Sequence, residues 1–397
     1  MEHSFNLAAK NGNIDKVKSL LKKGANINAK NKRGWSSLMF ASKYSNDTSS
    51  LDMVRLLLDN GADVNAKNKN EETSLIISSK HSNSTSSLDT VKLLLDKGAD
   101  VNAKNRNGWS SLMFASKYSG STSSLDTVHF LLDNGADADA KAKNGISSLM
   151  VASKYSNTSS SLDTVLLLLN EGADVNDKDN YGWTSLRYAS RFSNSNSSSD
   201  TVKLLLDNGA DVNSKDINGS SSLIFSSAYS NTTSSDDTVE LLLSYGADPF
   251  IKNYKGKYPI DLCKTESCKK IISTSMWNIM NNNVEKLSGQ YSTKTPISKH
   301  VWELILLRNK QRQLCKDLRS EENKYVLQGF ATMLNIPITE KMTKRQLCNL
   351  VSKQLSQGRK YITNKENLAD IIKLAKTLGI NTDQSIDKIL DDISSIM

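Results

Sequence analysis

Cysteine is scarce in this chain of 397 residues, with four in all, Cys263, Cys268, Cys315 and Cys348, every one in the last third. Such usage predicts a reduced, intracellular protein without a disulfide framework. A metal centre on Cys263 and Cys268 would lack two ligands and any usual zinc spacing, so no metal is expected. Histidine is as rare: His3, His81, His129 and His300 do not recur in register with a nucleophile or a paired carboxylate, and no catalytic set emerges. No phosphate loop is present either. The stretch YKGKY at 254–258 has Lys after Gly but lacks the earlier glycine and the following Ser or Thr. Long apolar runs are missing too. Nothing approaches the roughly 18 residues of a membrane span, and the opening MEHSFNLAAKNGN has no basic segment leading into an apolar one. The expectation is therefore an intracellular protein with no membrane contact, no cofactor and no enzyme activity.

What the chain has in abundance is repetition. Glycines followed by Ala stand at Gly24, Gly61, Gly98, Gly135, Gly172, Gly209 and Gly246, each 37 residues after the last. Within each unit a leucine (Leu38, Leu75, Leu112, Leu149, Leu186, Leu223) opens a short helical segment with a small residue three places on. A Ser-rich stretch follows, then a segment such as LDTVKLLLDKGAD, apolar at helical spacing and ended by glycine. The polar run after it, as in VNAKNRNG, fits an extended finger or hairpin between units. A helix pair of this size cannot bury its apolar face alone, so the units must stack into a solenoid.

The residues 98–116, GADVNAKNRNGWSSLMFAS, resemble the ankyrin repeat signature G-A-D-V-N-A-x-D-x-x-G-x-T-P-L-H-x-A-A. The first unit carries the short link KNGNID between its helices, whereas the third has KHSNSTSSLD, four residues longer. The Ser-rich run is thus a regular insertion joining the two helices of a repeat. Serial insertion of this kind is similar to the ankyrin proteins encoded by giant DNA viruses of the mimivirus type. That resemblance implies host cytoplasm as the compartment, with the nucleus open, and a host or viral protein as partner. In place of T-P-L-H stand SSLM segments at Ser36–Met39, Ser110–Met113 and Ser147–Met150. Serine can cap the helix there, but the loss of Pro and His leaves each repeat less stable than a consensus one. Asp52, Asp89, Asp126, Asp163, Asp200 and Asp237 suit the positive end of the second helices. The first repeat and residues 256–273 are expected as caps, giving about eight units over residues 1–273.

Ankyrin arrays bind proteins through finger tips and inner helix faces, so the resemblance draws attention to those positions. Lys30, Lys67, Lys104, Lys141, Lys178, Lys215 and Lys252 stand six residues after each glycine, joined by Lys32, Lys69, Arg106 and Lys143. This basic ladder reads as a surface for an acidic protein segment or as ordinary solvation of the tips. Trp35, Trp109 and Trp183 follow the fingers, and Tyr44, Tyr118, Tyr155, Phe192 and Tyr229 end the first helices. Either set can anchor a partner or pack beneath the loops. Sequons at Asn46, Asn83, Asn157, Asn196 and Asn231 carry little weight without secretion.

Beyond residue 273 the repeat disappears. Residues 273–397 hold 19 Lys and Arg against 12 Asp and Glu, whereas the repeats hold 32 against 30, so the basic excess is mostly C-terminal. Helical periodicity over 297–318, 324–335, 343–358 and 366–379 predicts a small separate helical domain at 274–397. Residues 325–355 resemble a SAP-type helix-link-helix, with Thr343 and Gln346 as a capping box. SAP modules often bind DNA, and Lys341, Lys344, Arg345, Lys353, Arg359 and Lys360 are the candidate phosphate contacts. A plain packing or protein-binding domain is the competing reading. The whole is an all-α ankyrin solenoid with a helical appendix, a protein scaffold or adaptor, alternatively a nucleic-acid-associated one.

Overall fold

The computed structural model describes residues 1–291, 342–362 and 365–396 together with isolated positions between 315 and 339. It divides into two compact units, Met1–Ser222 with Thr232–Leu241, and Leu223–Asn231 with Leu242–Met397.

In the first unit helices come in pairs: α1 (Glu2–Lys10) with α2 (Ile14–Lys22), α3 (Ser37–Lys43) with α4 (Leu51–Asp59), α5 (Ser74–His81) with α6 (Leu88–Asp96). The pattern continues through α7 (Ser111–Tyr118) and α8 (Leu125–Asp133), α9 (Ser148–Tyr155) and α10 (Leu162–Asn170), and α11 (Ser185–Phe192) and α12 (Ser199–Asp207). First helices pack on first helices from α1 to α11, and second helices on second helices from α4 to α12. Two parallel rows result, each helix buried by its neighbours in the row and by its own partner. Leu38, Leu75, Leu112, Leu149 and Leu186 lie in the seam at no more than 1% exposure, a burial worth about 1.5–3 kcal/mol for each leucine.

Local signals place the helices. Ser36, Ser110 and Ser147 cap the first helices as the sequence predicts, each hydroxyl accepting from the backbone N–H three residues on, and Thr73 and Thr184 do the same. The second helices begin on Ser50, Ser87, Ser124, Ser161 and Ser198, with aspartate in the first turn. They stop at glycine: Gly61, at φ 89°, donates to Leu58 O at 3.0 Å while Ala62 donates to Leu57 O at 3.0 Å.

The fingers are tight turns rather than strands. Among the described residues there is no named strand, only an antiparallel bridge between Lys104 and Ser110. Asn105 makes the turn, its backbone N–H donating to Trp109 O at 3.0 Å and its Oδ1 accepting from Asn107 and Trp109 N–H at 3.0 Å each. Successive fingers are joined by one backbone bond per step, Lys69 N to Arg33 O, Arg106 N to Asn70 O, Lys143 N to Asn107 O and Asn180 N to Asn144 O, at 2.8–3.1 Å.

Along the chain α13 (Ser222–Ala228) and α14 (Asp236–Ser244) follow, and in the second unit the short α15 (Pro259–Leu262) precedes α16 (Glu266–Tyr291). The domain boundary expected at residue 273 falls inside α16, because the helix continues without a break past the end of the repeat pattern. Helices α17 (Lys344–Ile362), α18 (Lys365–Thr377) and α19 (Ile386–Ile396) pack in sequence around Leu347, Val351, Ile371, Leu374, Ile389 and Ile393, none more than 2% exposed. Most of the helical segments expected at 297–318 and 324–335 lie outside the described residues.

The cysteines correct the expectation of a disulfide-free chain. Cys263 pairs with Cys268 and Cys315 with Cys348, at Cα separations of 5.7 and 5.9 Å. The expectation rested on compartment. It took no account of the short link between α15 and α16, which folds the first pair together. No described helix is long and apolar enough to cross a membrane.

Candidate functional site

The predicted basic ladder is exposed at the finger tips, but much of it is engaged between repeats. The ammonium of Lys30 donates to Lys67 O at 2.9 Å and that of Lys104 to Lys141 O at 3.1 Å, each reaching the same position one unit on. Lys141 reaches Asp177 at 2.5 Å and Lys178 O at 3.5 Å. These lysines therefore stitch the fingers together. Their neighbours Lys32, Lys69, Arg106 and Lys143 are exposed, as is Lys67.

A second ladder runs below it. Asn65 Nδ2 donates to Gly98 O at 3.0 Å while its Oδ1 accepts from Asp100 N at 2.8 Å, and Asn102 and Asn176 repeat the arrangement. Asp139 occupies the same register and can only accept, from Asp174 N at 2.9 Å.

The three tryptophans lie half-buried beside the first helices and pack on them. Trp35 meets Phe40, Trp109 meets Phe114 and Trp183 meets Tyr188, all with ring centroids 5.0 Å apart. Sequence reading placed these rings but missed what sits on them. Lys43, Lys80, Lys117, Lys154 and Arg191, in exact 37-residue register, occupy the last turns of the first helices. Lys117 Nζ lies 5.7 Å from the Trp109 ring centroid, 5.0 Å from Tyr118 and 5.1 Å from Tyr155 of the next unit. Lys154 likewise spans Tyr155, Tyr188 and Phe192 at 5.0–5.7 Å, and Arg191 covers Trp183 and Phe192. Tyr44, Tyr118, Tyr155 and Phe192 are thus half-buried under cations. The signal that could have found these cations was present: one Lys or Arg per unit at a fixed offset from the Gly register.

At the sixth pair this surface deepens into an open recess of about 430 Å³ lined by Lys154, Tyr181, Trp183, Tyr188, Arg191, Phe192 and Asn218. Beneath it Arg187 stands where other repeats have Met39, Met113 and Met150. It is 1% exposed, pairs with Asp216 at 2.8 Å, and donates to the carbonyls of Ser214, at 3.1 Å, and Ser220. Burial pulls its guanidinium down to about 10 against the opposing pull of Asp216 and Asp179, so it stays charged at neutral pH. Tyr188 donates to Asp179 Oδ2 at 2.8 Å, and burial together with that bond raises its phenol well above the usual value.

In the second unit Thr343 and Gln346 form the predicted capping box, Thr343 N donating to Gln346 Oε1 at 2.8 Å and Gln346 N to Thr343 Oγ1 at 3.3 Å. Lys344, the first residue of α17, is buried at 2% exposure. Arg345 and Lys353 are exposed on the same helix, while Lys341 and most of the first helix of the SAP-like segment lie outside the described residues.

A profile for ankyrin repeats (3 copies) matches residues 5–105, 47–142, 112–216 and 149–253, more than half of the chain. The chain belongs to the ankyrin-repeat family. No curated protein matches it. Ankyrin arrays serve in general as protein-binding modules, and the helix pairs, turns and inter-finger ladders described above are the physical means by which this one holds a continuous surface. Its departures from the repeat signature lie in the Ser-rich insertions and in the SSLM segments.

Proposed function

We propose that this ankyrin-repeat chain is a non-enzymatic scaffold or adaptor that holds protein partners on its fingers and on the face of its first helices, and that the basic helical C-terminal segment adds a second contact. The observation that carries this reading is the half-buried row of Trp35, Trp109 and Trp183 with their cations, which ends in the recess at Trp183 and Arg191. Large, rigid aromatic side chains with a polar rim are the residues that most often dominate protein–protein binding energy. The exposed Lys32, Lys69, Arg106 and Lys143 extend the same surface onto the finger tips.

Affinity capture from cell lysate tests it, with the full chain compared against Trp109→Ala/Trp183→Ala. A discrete protein retained by the first and lost from the second, while circular dichroism stays the same, is the expected result. Identical captured sets from both chains would remove the face from the proposal.

A further inference from the structure

The cations of the first-helix row share a geometry that defines a partner more narrowly. Lys43, Lys80, Lys117, Lys154 and Arg191 recur once per unit, and helices α3, α5, α7, α9 and α11 contain no Asp or Glu at all. The acids of the repeats sit instead in the first and last turns of the second helices, as Asp52 and Asp59 do, and in the fingers, where Asp177 meets Lys141 and Asp179 meets Tyr188. One face therefore carries a single row of positive charge over an aromatic floor. Packed helices lie about 8–10 Å apart, which sets the spacing of the row. A polyproline-II segment rises about 3.1 Å per residue with three residues per turn, so every third side chain returns to the same side after about 9 Å. Aromatic-lined grooves are the surfaces on which such segments dock.

Resting on the protein-binding reading above, we propose that the first-helix face recognises an extended, polyproline-II-like protein segment with an acidic residue at every third position. Each carboxylate meets one cation of the row, and the intervening residues lie on the rings of Trp35, Trp109 and Trp183. A helix returns side chains to one face after about 5.4 Å, or after about 10.5 Å at every seventh residue, so its steps fall on either side of the row's spacing. A β-strand would turn alternate third residues away from it.

The test uses the full chain and a fluorescein-labelled peptide of five Glu-Pro-Ser triplets, read by anisotropy. Its control is a peptide of the same composition with the glutamates contiguous. Three exposed charge pairs of ordinary strength amount to about tenfold in affinity, so Lys80→Gln/Lys117→Gln/Lys154→Gln should bind the triplet peptide about tenfold more weakly. The variant Lys16→Gln/Lys18→Gln/Lys22→Gln removes the same charge from α2, off the row, and should bind as the parent does. Equal affinity for the two peptides, or equal losses in the two triple variants, would overturn the proposal and leave only general electrostatics. Tighter binding of a six-nucleotide oligo-dT, with its five phosphates, would also overturn it in favour of nucleic acid. Failure here combined with loss of a captured protein in Trp109→Ala/Trp183→Ala would retain the scaffold reading and reject only the acidic segment.

Discussion

Arg187 Nη1 lies 2.8 Å from Asp216 Oδ2, and neither side chain is more than 1% exposed. The pair crosses from one repeat to the finger of the next, at positions where an earlier interface has Met39 and Asn68. Removing one partner from a buried pair leaves a desolvated charge, which costs about 3–5 kcal/mol, whereas replacing both with a well-packed neutral pair is often neutral or stabilising. Asp216→Ala should therefore destabilise the chain by about 3 kcal/mol or more in urea unfolding. Arg187→Met/Asp216→Asn should recover most of that loss, since an asparagine Oδ1 can still accept from Asn218 N and Ser220 N, now bonded at 2.8 and 2.9 Å. A double variant no more stable than the single would show that the pair is not an isolated exchange.

Glu71 takes φ 62° at the register position that Gly34 and Gly108 fill elsewhere. The left-handed conformation costs a side-chain-bearing residue about 1–2 kcal/mol relative to its usual regions. Glu71→Gly should raise the unfolding temperature, the strain relief exceeding the entropy that glycine adds to the unfolded chain. The reverse change, Gly108→Ala, places a Cβ 2.7 Å from Lys143 N on the adjacent finger and should lower it. Thermal scans of the two variants give opposite signs if the finger geometry is as described.

The period of 37, the helix pairs, the serine caps and the glycine stops were legible in the sequence, because each depends on residues within a few positions of one another. The meaning of the Ser-rich insertion was not. Its hydroxyls find their partners 41 and 45 residues away, as Ser82 does with Ser123 at 3.1 Å and Thr127 at 2.6 Å. No local pattern shows that. The finger lysines were visible as charge, but their engagement by the next finger depends on stacking, as does the burial of Arg187 at a methionine position. The cations of the first-helix row lay within reach of the same register argument that found the finger lysines.

His81 stands where other repeats have Tyr44, Tyr118, Tyr155 and Phe192. Burial first, then the charges of Lys80 and Lys43, push its imidazole from 6.5 down to about 4. Above pH 6.5 it is neutral in both folded and unfolded chains and contributes no pH dependence. Between about 6.5 and 4 the unfolded chain takes up a proton that the folded chain refuses, so stability falls as the solution is acidified. His81→Tyr, which restores the side chain of the neighbouring units, should show a shallower fall over that window than the parent. Denaturant midpoints at pH 7 and pH 4.5 measure it, and parallel slopes for the two chains would refute the assignment.

Ser119 gives the sharpest test of what the insertion does. Its hydroxyl accepts from Thr164 Oγ1 at 2.6 Å and lies 3.3 Å from Ser160 Oγ, joining the loop of one repeat to the second helix of the next. The same triad recurs at Ser45, Ser82, Ser156 and Ser193, so a buried hydroxyl chain crosses successive interfaces. Beside it the loop backbones pair once per step, Asn83 N with Thr122 O and Gly120 N with Ser159 O, each at 3.0 Å. The insertion thus adds a third line of contact to the helix rows and the fingers, and its serines divide into buried links such as Ser119 and exposed ones such as Ser121, whose hydroxyl makes long contacts to Tyr118 O at 3.3 Å and Ser159 O at 3.4 Å. Ser119→Ala leaves neighbouring polar groups short of a partner and should cost about 1–3 kcal/mol. Ser121→Ala, in the same loop but exposed, should stay within about 0.5 kcal/mol of the parent. Urea unfolding of both variants separates the two classes of serine. Equal losses would mean that the loop contributes through its backbone alone, and that the hydroxyl chain follows from the stacking without stabilising it.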